Sequence, residues 1–333
     1  MTQWLAKNNV RRCGRAAAGV LLACASAAAQ QQDPPAAAPI RISVDRVDVG
    51  VIVTDARGNF VSNLGQQDFQ VLDNNSPQAI TDFVSVDAPG QVLMTVEAGP
   101  AVYLLQDAHM FVADALLNGL APGDRVAIAS YNEAPSEVLD FTADKQAAQA
   151  ALEQIQFTLG YGNLNLSSSL NTVLDWLAPI PGKKTIVLVS TGVDTSPAVA
   201  AQTLVGRLQN GDVRLLAVSM SGPLRKGRKG NKPQVQQTEE MLEQADGWLK
   251  TLAESTGGRA FFPENAKAFQ ETYRQIAQIV RHEYSLAYAP PQADGAPHAI
   301  DVKVKAGANG SKDTTPDFRV DHRKGYIAPK APN

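Results

Sequence analysis

Glu97 ends the apolar run Val92–Val96, and Asp194 closes the turn after the apolar run Thr185–Ser190. Two carboxylates brought together can divide the acid and base roles of a hydrolysis. No other residue pattern organises a substrate around this pair. The four histidines are His109, His282, His298 and His322, and none has a partner at H-E-x-x-H spacing. Each therefore reads as a packing or surface residue rather than a metal ligand. Ser219-Met220-Ser221-Gly222 lacks the leading glycine of a nucleophile elbow. Ser167-Ser168-Ser169 opens an expected helix, where hydroxyls meet free backbone N–H groups. Gly160-Tyr161-Gly162-Asn163 and Gly222–Arg228 are glycine-bearing turns without the Lys-Ser/Thr that closes a phosphate loop. The one sharp charge cluster is Arg225, Lys226, Arg228, Lys229 and Lys232. It reads as a solvated loop or as an electrostatic contact with an anionic envelope polymer or acidic protein face. Without interleaved aromatics it offers no stacking platform, so nucleic acid is not an expected partner.

The elements that must position these residues follow from periodicity. Val47, Val49, Val51 and Val53 alternate with more polar neighbours, the period of a half-buried strand. Phe69 and Val71 alternate again, with turns expected at Asp55–Gly58 and Asp73–Pro77. After Gly90 the pattern becomes apolar strand, then helix, repeatedly. Strands are expected at Val92–Val96, Arg125–Tyr131, Thr185–Ser190, Val213–Met220 and Arg259–Phe262. Helices are expected at Tyr103–Leu120, Asp144–Ile155, Leu166–Leu177, Pro197–Gln209, Thr238–Ser255 and from Asn265 to about His282. This alternation predicts an α/β domain with a doubly wound, mostly parallel sheet. Glu97, Tyr131, Thr191 and Ser221 fall at the carboxyl ends of strands, the edge where open α/β sheets bind ligands. Tyr284, Leu286 and Tyr288 return to period two, as do Ile300, Val302 and Val304. Two β segments too small to fold alone would pair into one small antiparallel annex, with the α/β domain inserted between them.

The 333 residues carry a net charge of -3, too small to argue for a strongly charged partner. Lys7, Arg11, Arg12 and Arg15 precede the apolar stretch Ala16–Ala29, a pattern expected of an export signal. That stretch falls short of the roughly 20 apolar residues a membrane span needs, and no later segment qualifies. Cys13 and Cys24 both lie in this leader; a lipid anchor on Cys24 is the alternative to cleavage near Ala29. The expected organisation is a leader over 1–29, a Pro/Ala/Gln tether over 30–39, the first annex part over 40–89, the α/β domain over 90–282, the second annex part over 283–328 and a tail over 329–333. The expected address is the periplasm, the outer envelope or the exterior.

The segments Val51–Asp73, Leu120–Tyr131, Lys183–Asp194, Thr256–Phe262, Tyr284–Tyr288 and Arg323–Tyr326 occur in an order that resembles the bacterial VWFA-related exported proteins, best known from acidobacteria. The resemblance covers nearly the whole chain after the leader. It implies a von Willebrand factor A-like fold with a divalent cation above the sheet edge. The implied ligands are an Asp-x-Ser-x-Ser loop, a Thr from a later loop and an Asp after the fourth strand. Carried over position by position, the first Asp is Glu97, the two Ser positions are Gly99 and Ala101, the Thr position falls near Asn163, and the last Asp is Thr191, three residues before Asp194. A second register, starting at Asp107, also lacks both hydroxyls. Magnesium wants several hard oxygens in near-octahedral geometry, which this set supplies poorly.

The expected function is that of a non-enzymatic protein-binding or adhesion module of the cell envelope, with a degenerate metal site and no cofactor. One alternative is a magnesium-dependent adhesion module that rebuilds its shell from Glu97, Asn163, Thr191, Asp194 and water. Others are an envelope hydrolase and a purely structural envelope component.

Overall fold

The computed structural model describes residues 46–87, 89–103, 116–158, 162–181, 184–226, 233–292, 294–305 and 318–328, without the side chains of Ala101, Tyr103 and Lys226. The expected leader, tether, Cys24 and tail lie outside the described residues. So do Asp107, His109 and most of the expected first helix, and the basic residues Arg228, Lys229 and Lys232.

In chain order the strands are β1 (Val47–Thr54), β2 (Phe69–Asp73), β3 (Ser76–Gln78), β4 (Asp82–Asp87), β5 (Gln91–Glu97), β6 (Arg125–Tyr131), β7 (Pro135–Thr142), β8 (Lys184–Ser190), β9 (Val213–Ser219), β10 (Arg259–Phe261), β11 (His282–Tyr288), β12 (Pro297–Val304), β13 (Arg319–His322) and β14 (Gly325–Ile327). The helices are α1 (Pro100–Tyr103), α2 (Lys145–Glu153), α3 (Leu166–Leu177), α4 (Ala198–Asn210), α5 (Ser221–Lys226), α6 (Pro233–Ser255) and α7 (Ala266–Arg281), with a further helical stretch over 116–119.

Six strands form the central sheet in the order β10-β9-β8-β5-β6-β7. The first five run parallel, and β7 is antiparallel to β6. The doubly wound sheet is the expected one; β7 was not expected. Its residues are only half-buried or exposed, without regular alternation, and its register against β6 is broken by irregularities on either side of Ile128. An edge strand with bulges carries little period-two signal. Strand order reverses between β5 and β8, so Glu97 and the Ser190–Thr191 turn flank the crevice of the topological switch point. Alternation along the strands sorts side chains to two faces. Val92, Met94 and Val96 meet Phe269, Tyr273 and Ile276 of α7 on one side. Leu93, Ile186 and Leu188 meet Leu170 and Leu174 of α3 and Leu249 of α6 on the other.

The annex consists of two four-stranded sheets, β13-β1-β11-β4 and β14-β12-β2-β3. The flanking segments pair as the fold class requires: β1 with β11 and β13, and β2 with β12, all antiparallel. Val49, Val51, Tyr284, Leu286 and Tyr288 from one sheet close on Val71, Ile300, Val302 and Tyr326 from the other. The opposite face of the first sheet turns to the α/β domain, where Ile52 joins the core under α7. Two buried ion pairs bolt the parts together: Arg259 of β10 to Asp321 of β13, and Arg214 of β9 to Glu283 of β11 at 3.0 Å.

Candidate functional site

Glu97 is fully buried at the end of β5. Its Oε2 accepts from Thr191 N at 2.8 Å, Thr191 Oγ1 at 2.8 Å and Ser190 Oγ at 3.0 Å. The Tyr131 hydroxyl lies 3.3 Å from the same oxygen but 2.7 Å from Ser190 Oγ. A hydroxyl has one proton to give, so the consistent arrangement is a chain in which Tyr131 donates to Ser190 and Ser190 donates to Glu97. Oε1 is buried and has no hydrogen-bond partner. Burial pushes the Glu97 carboxyl above its ordinary range, opposed by the donors from Thr191, Ser190 and Tyr131. Burial, and after it the neighbouring Glu97, holds the Tyr131 phenol well above 10, so it stays a neutral donor. No cationic side chain bonds to Glu97 among the described residues; neutral dipoles alone hold this carboxyl.

The loop after Glu97 is set by packing. A Cβ on Gly99 would stand 2.9 Å from Leu164 Cδ2 and 3.2 Å from Glu97 Oε1. Leu164 thus covers the place where a longer residue at position 99 would project. Leu164 is itself held by its carbonyl, which accepts from Thr195 N at 2.8 Å. Asn163 is exposed and, with Asn132, Glu133 and Thr158, lines a hollow of about 270 Å³ beside Gly99.

Asp194 serves α3. Its Oδ2 accepts from the Ser167 N–H at 3.2 Å and from the Ser167 hydroxyl, and its Oδ1 from Ser196 N at 2.9 Å. Ser196 Oγ in turn accepts from Ser168 N at 3.1 Å. The serine run was expected to cap its own helix. Instead the N–H groups of Ser167 and Ser168 are met by Asp194 and Ser196 from the loop after β8, and the Ser167 hydroxyl is itself turned to Asp194. Glu97 and Asp194 share no hydrogen-bond donor, and Asp194 is engaged in capping α3.

Arg225 departs from the expected basic loop. It turns inward from α5, bonding Glu239 at 2.6 Å and Asp246 at 2.7 Å, both on α6. Ser221 Oγ reaches both Asp246 oxygens at 2.9 Å, and Ser219 Oγ reaches Oδ1 at 2.6 Å. Two carboxylates therefore neutralise this cation before any partner meets it. Asp246 and Ser190 escape sequence reasoning. Asp246 is one of several acids on a long helix, and Ser190 reads as the polar end of an apolar strand.

A model of the von Willebrand factor type A domain matches residues 102–193. That span starts just past Ala101 and takes in Asn163 and Thr191. No curated protein matches the chain. Among solved structures the chain is similar to the von Willebrand factor type A protein from Catenulispora acidiphila, with 12% identity over 81% of this chain and 76% of that one and a TM-score of 0.45. It is similar to BatB from Bacteroides thetaiotaomicron, with 15% identity over 57% and 98% and a TM-score of 0.41. It is also similar to the manganese-loaded TRAP protein of Plasmodium vivax, with 13% identity over 80% and 100% and a TM-score of 0.43. The α/β part of this chain has a von Willebrand factor A-like fold, a type of domain that typically serves protein interaction and adhesion.

Proposed function

We propose that the chain is an exported, non-enzymatic protein-interaction module whose switch-point edge recognises a protein partner in the cell envelope without a bound cation. The observation that carries this reading is how Glu97 is used. One of its oxygens is spent on Thr191, Ser190 and Tyr131, and the other lies buried beside Gly99 under Leu164. A hard divalent ion needs several oxygens and keeps some of its water. Gly99 and Ala101 bring no side-chain oxygen, which leaves the Glu97 carboxylate with the Ser190 and Thr191 hydroxyls as the oxygens gathered there. The residues present do not fit magnesium. The rim above them, with exposed Asn163 and Glu133 and half-buried Asn132, gives a polar surface suited to a protein face.

The leader pattern of the sequence supports export, with Cys24 as the site of a lipid anchor where cleavage falls early. Sequencing the N-terminus of the protein recovered from cell fractions separates a lipoprotein from a cleaved soluble form. The cation question is tested by melting the chain with magnesium or manganese. Tm is expected to stay unchanged. An ion binding only the folded state would stabilise it by about 2.7 kcal/mol at 100 times its Kd, and such a rise, abolished by Glu97→Gln, would sink the reading. Capture of the same envelope protein with and without chelator is the matching test of recognition.

A further inference from the structure

We propose that the cleft between the amino-terminal edge of the central sheet and the annex is a binding site for a compact oxyanion, a phosphate or carboxylate group. It lies at the end of the molecule away from the switch point. The cleft encloses about 390 Å³, at the small end of the roughly 300–1,000 Å³ typical of small-molecule sites. It exists because the facing positions are small. Gly50 and Ser285 are opposite one another on β1 and β11, and Gly90 precedes β5.

Charge gives the cleft its selectivity. Lys184, Arg214, Arg281 and Arg323 line it, against the carboxylates of Asp212 and Glu283. Lys184 Nζ donates to a neutral carbonyl, that of Ile180, at 2.7 Å. Arg281 is matched by Asp124 at 3.2 Å and Asp87 at 3.5 Å. Arg214 has Glu283 at 3.0 Å, yet its Nε is buried without a partner. Arg323 lines the same cleft as Arg214, and its like charge opposes that of Arg214. Burial first, and that repulsion with it, pulls Arg214 down to about 10, against the attraction of Asp321. Burial lowers Arg323 as well, despite Asp212 and Asp48. The buried Nε of Arg214 is an unmet donor, and Arg323 adds a second guanidinium to the same lining. Their planar forks match the paired oxygens of phosphate and carboxylate.

The test is titration calorimetry of the full chain with inorganic phosphate and, separately, succinate, at constant ionic strength. Saturable binding of at least one is expected, and the tighter of the two identifies the phosphoryl or carboxylate source. Arg323→Gln is expected to weaken it by about tenfold or more, the loss of one charge-assisted contact. Ser285→Leu, which fills the cleft without touching a charge, should do the same. Arg274→Gln, which removes a half-buried cation on α7 outside the cleft, should leave it unchanged. Thermal melts confirm that each variant is folded, and with two independent variants either one decides if the other fails to fold. The proposal is overturned if neither anion saturates, if the folded cleft variants bind as well as the parent, or if Arg274→Gln weakens binding equally.

Discussion

Glu97 shows at the level of one residue how a carboxyl can be kept inside a protein by neutral donors. Glu97→Ala would orphan the donors of Thr191 and Ser190, and buried unsatisfied donors are costly. A loss of about 2–3 kcal/mol is expected in urea unfolding, without change in any bound ion. The folded carboxyl titrates above its ordinary value of 4.5 because burial penalises the charge. Over that window the folded state holds a proton the unfolded state has lost, so stability falls as pH rises. Glu97→Gln should flatten this fall, read as the slope of Tm against pH. His298 behaves in the same direction for another reason. Its Nδ1 bonds buried Asp73 at 2.7 Å, its Nε2 lies 3.4 Å from Asp294, and Tyr288 and Tyr326 donate to the same Asp73 at 2.8 Å. The hydrogen bond to Asp73 raises His298 above its ordinary 6.5. Its contribution is therefore complete below 6.5 and lost as pH rises through the raised value, a loss His298→Gln should remove from the melting profile. The sequence marked Glu97 and Thr191 because they end apolar runs. It hid Asp73 as a turn residue and read His298 as an ordinary surface or packing residue, since their partners lie over 200 positions apart.

At the scale of elements, caps and edges account for what was legible. Asn265 was readable as a helix start, and its side chain accepts from Ala268 N at 3.0 Å. Asn265→Ala should cost about 1 kcal/mol in chemical denaturation, with the fold retained. Helix α3 was readable from Leu166 to Leu177 by its apolar face. Its capping was not, because Asp194 and Ser196 come from a loop nearly 30 residues on. Strand β7 was invisible because it is an irregular edge. Gly99 illustrates the converse. The missing hydroxyl is visible in the sequence, but that Leu164 stands over this position is a contact between elements.

At the scale of the whole molecule, the described residues form an α/β domain inserted between the two halves of its annex. Neither annex sheet can form from one flank alone, since β1 needs β11 and β2 needs β12. The described part of the chain is expected to melt as one unit. Emission from Trp176 and Trp248, in the α/β domain, should lose its folded signal at the same temperature at which amides of β1 and β11 lose exchange protection. Arg259 and Asp321 are buried across the junction, where Thr54 also accepts from Arg259 at 3.0 Å. Asp321→Ala strands a buried guanidinium and should cost about 3 kcal/mol, lowering both signals together.

Periodicity determined the types of most elements, the α/β class of the domain and the β character of both flanks, because those depend on which face of each element is apolar. The residue identities at Gly99 and Ala101 determined that no hydroxyl could arise there. Only tertiary structure decided that Glu97 is held by Ser190 and Tyr131, that Asp194 caps a helix, that Arg225 turns inward, and that arginines from β9 and the annex face one cleft. These are meetings of residues far apart in the chain, and they depend on strand order and register, which local sequence does not encode.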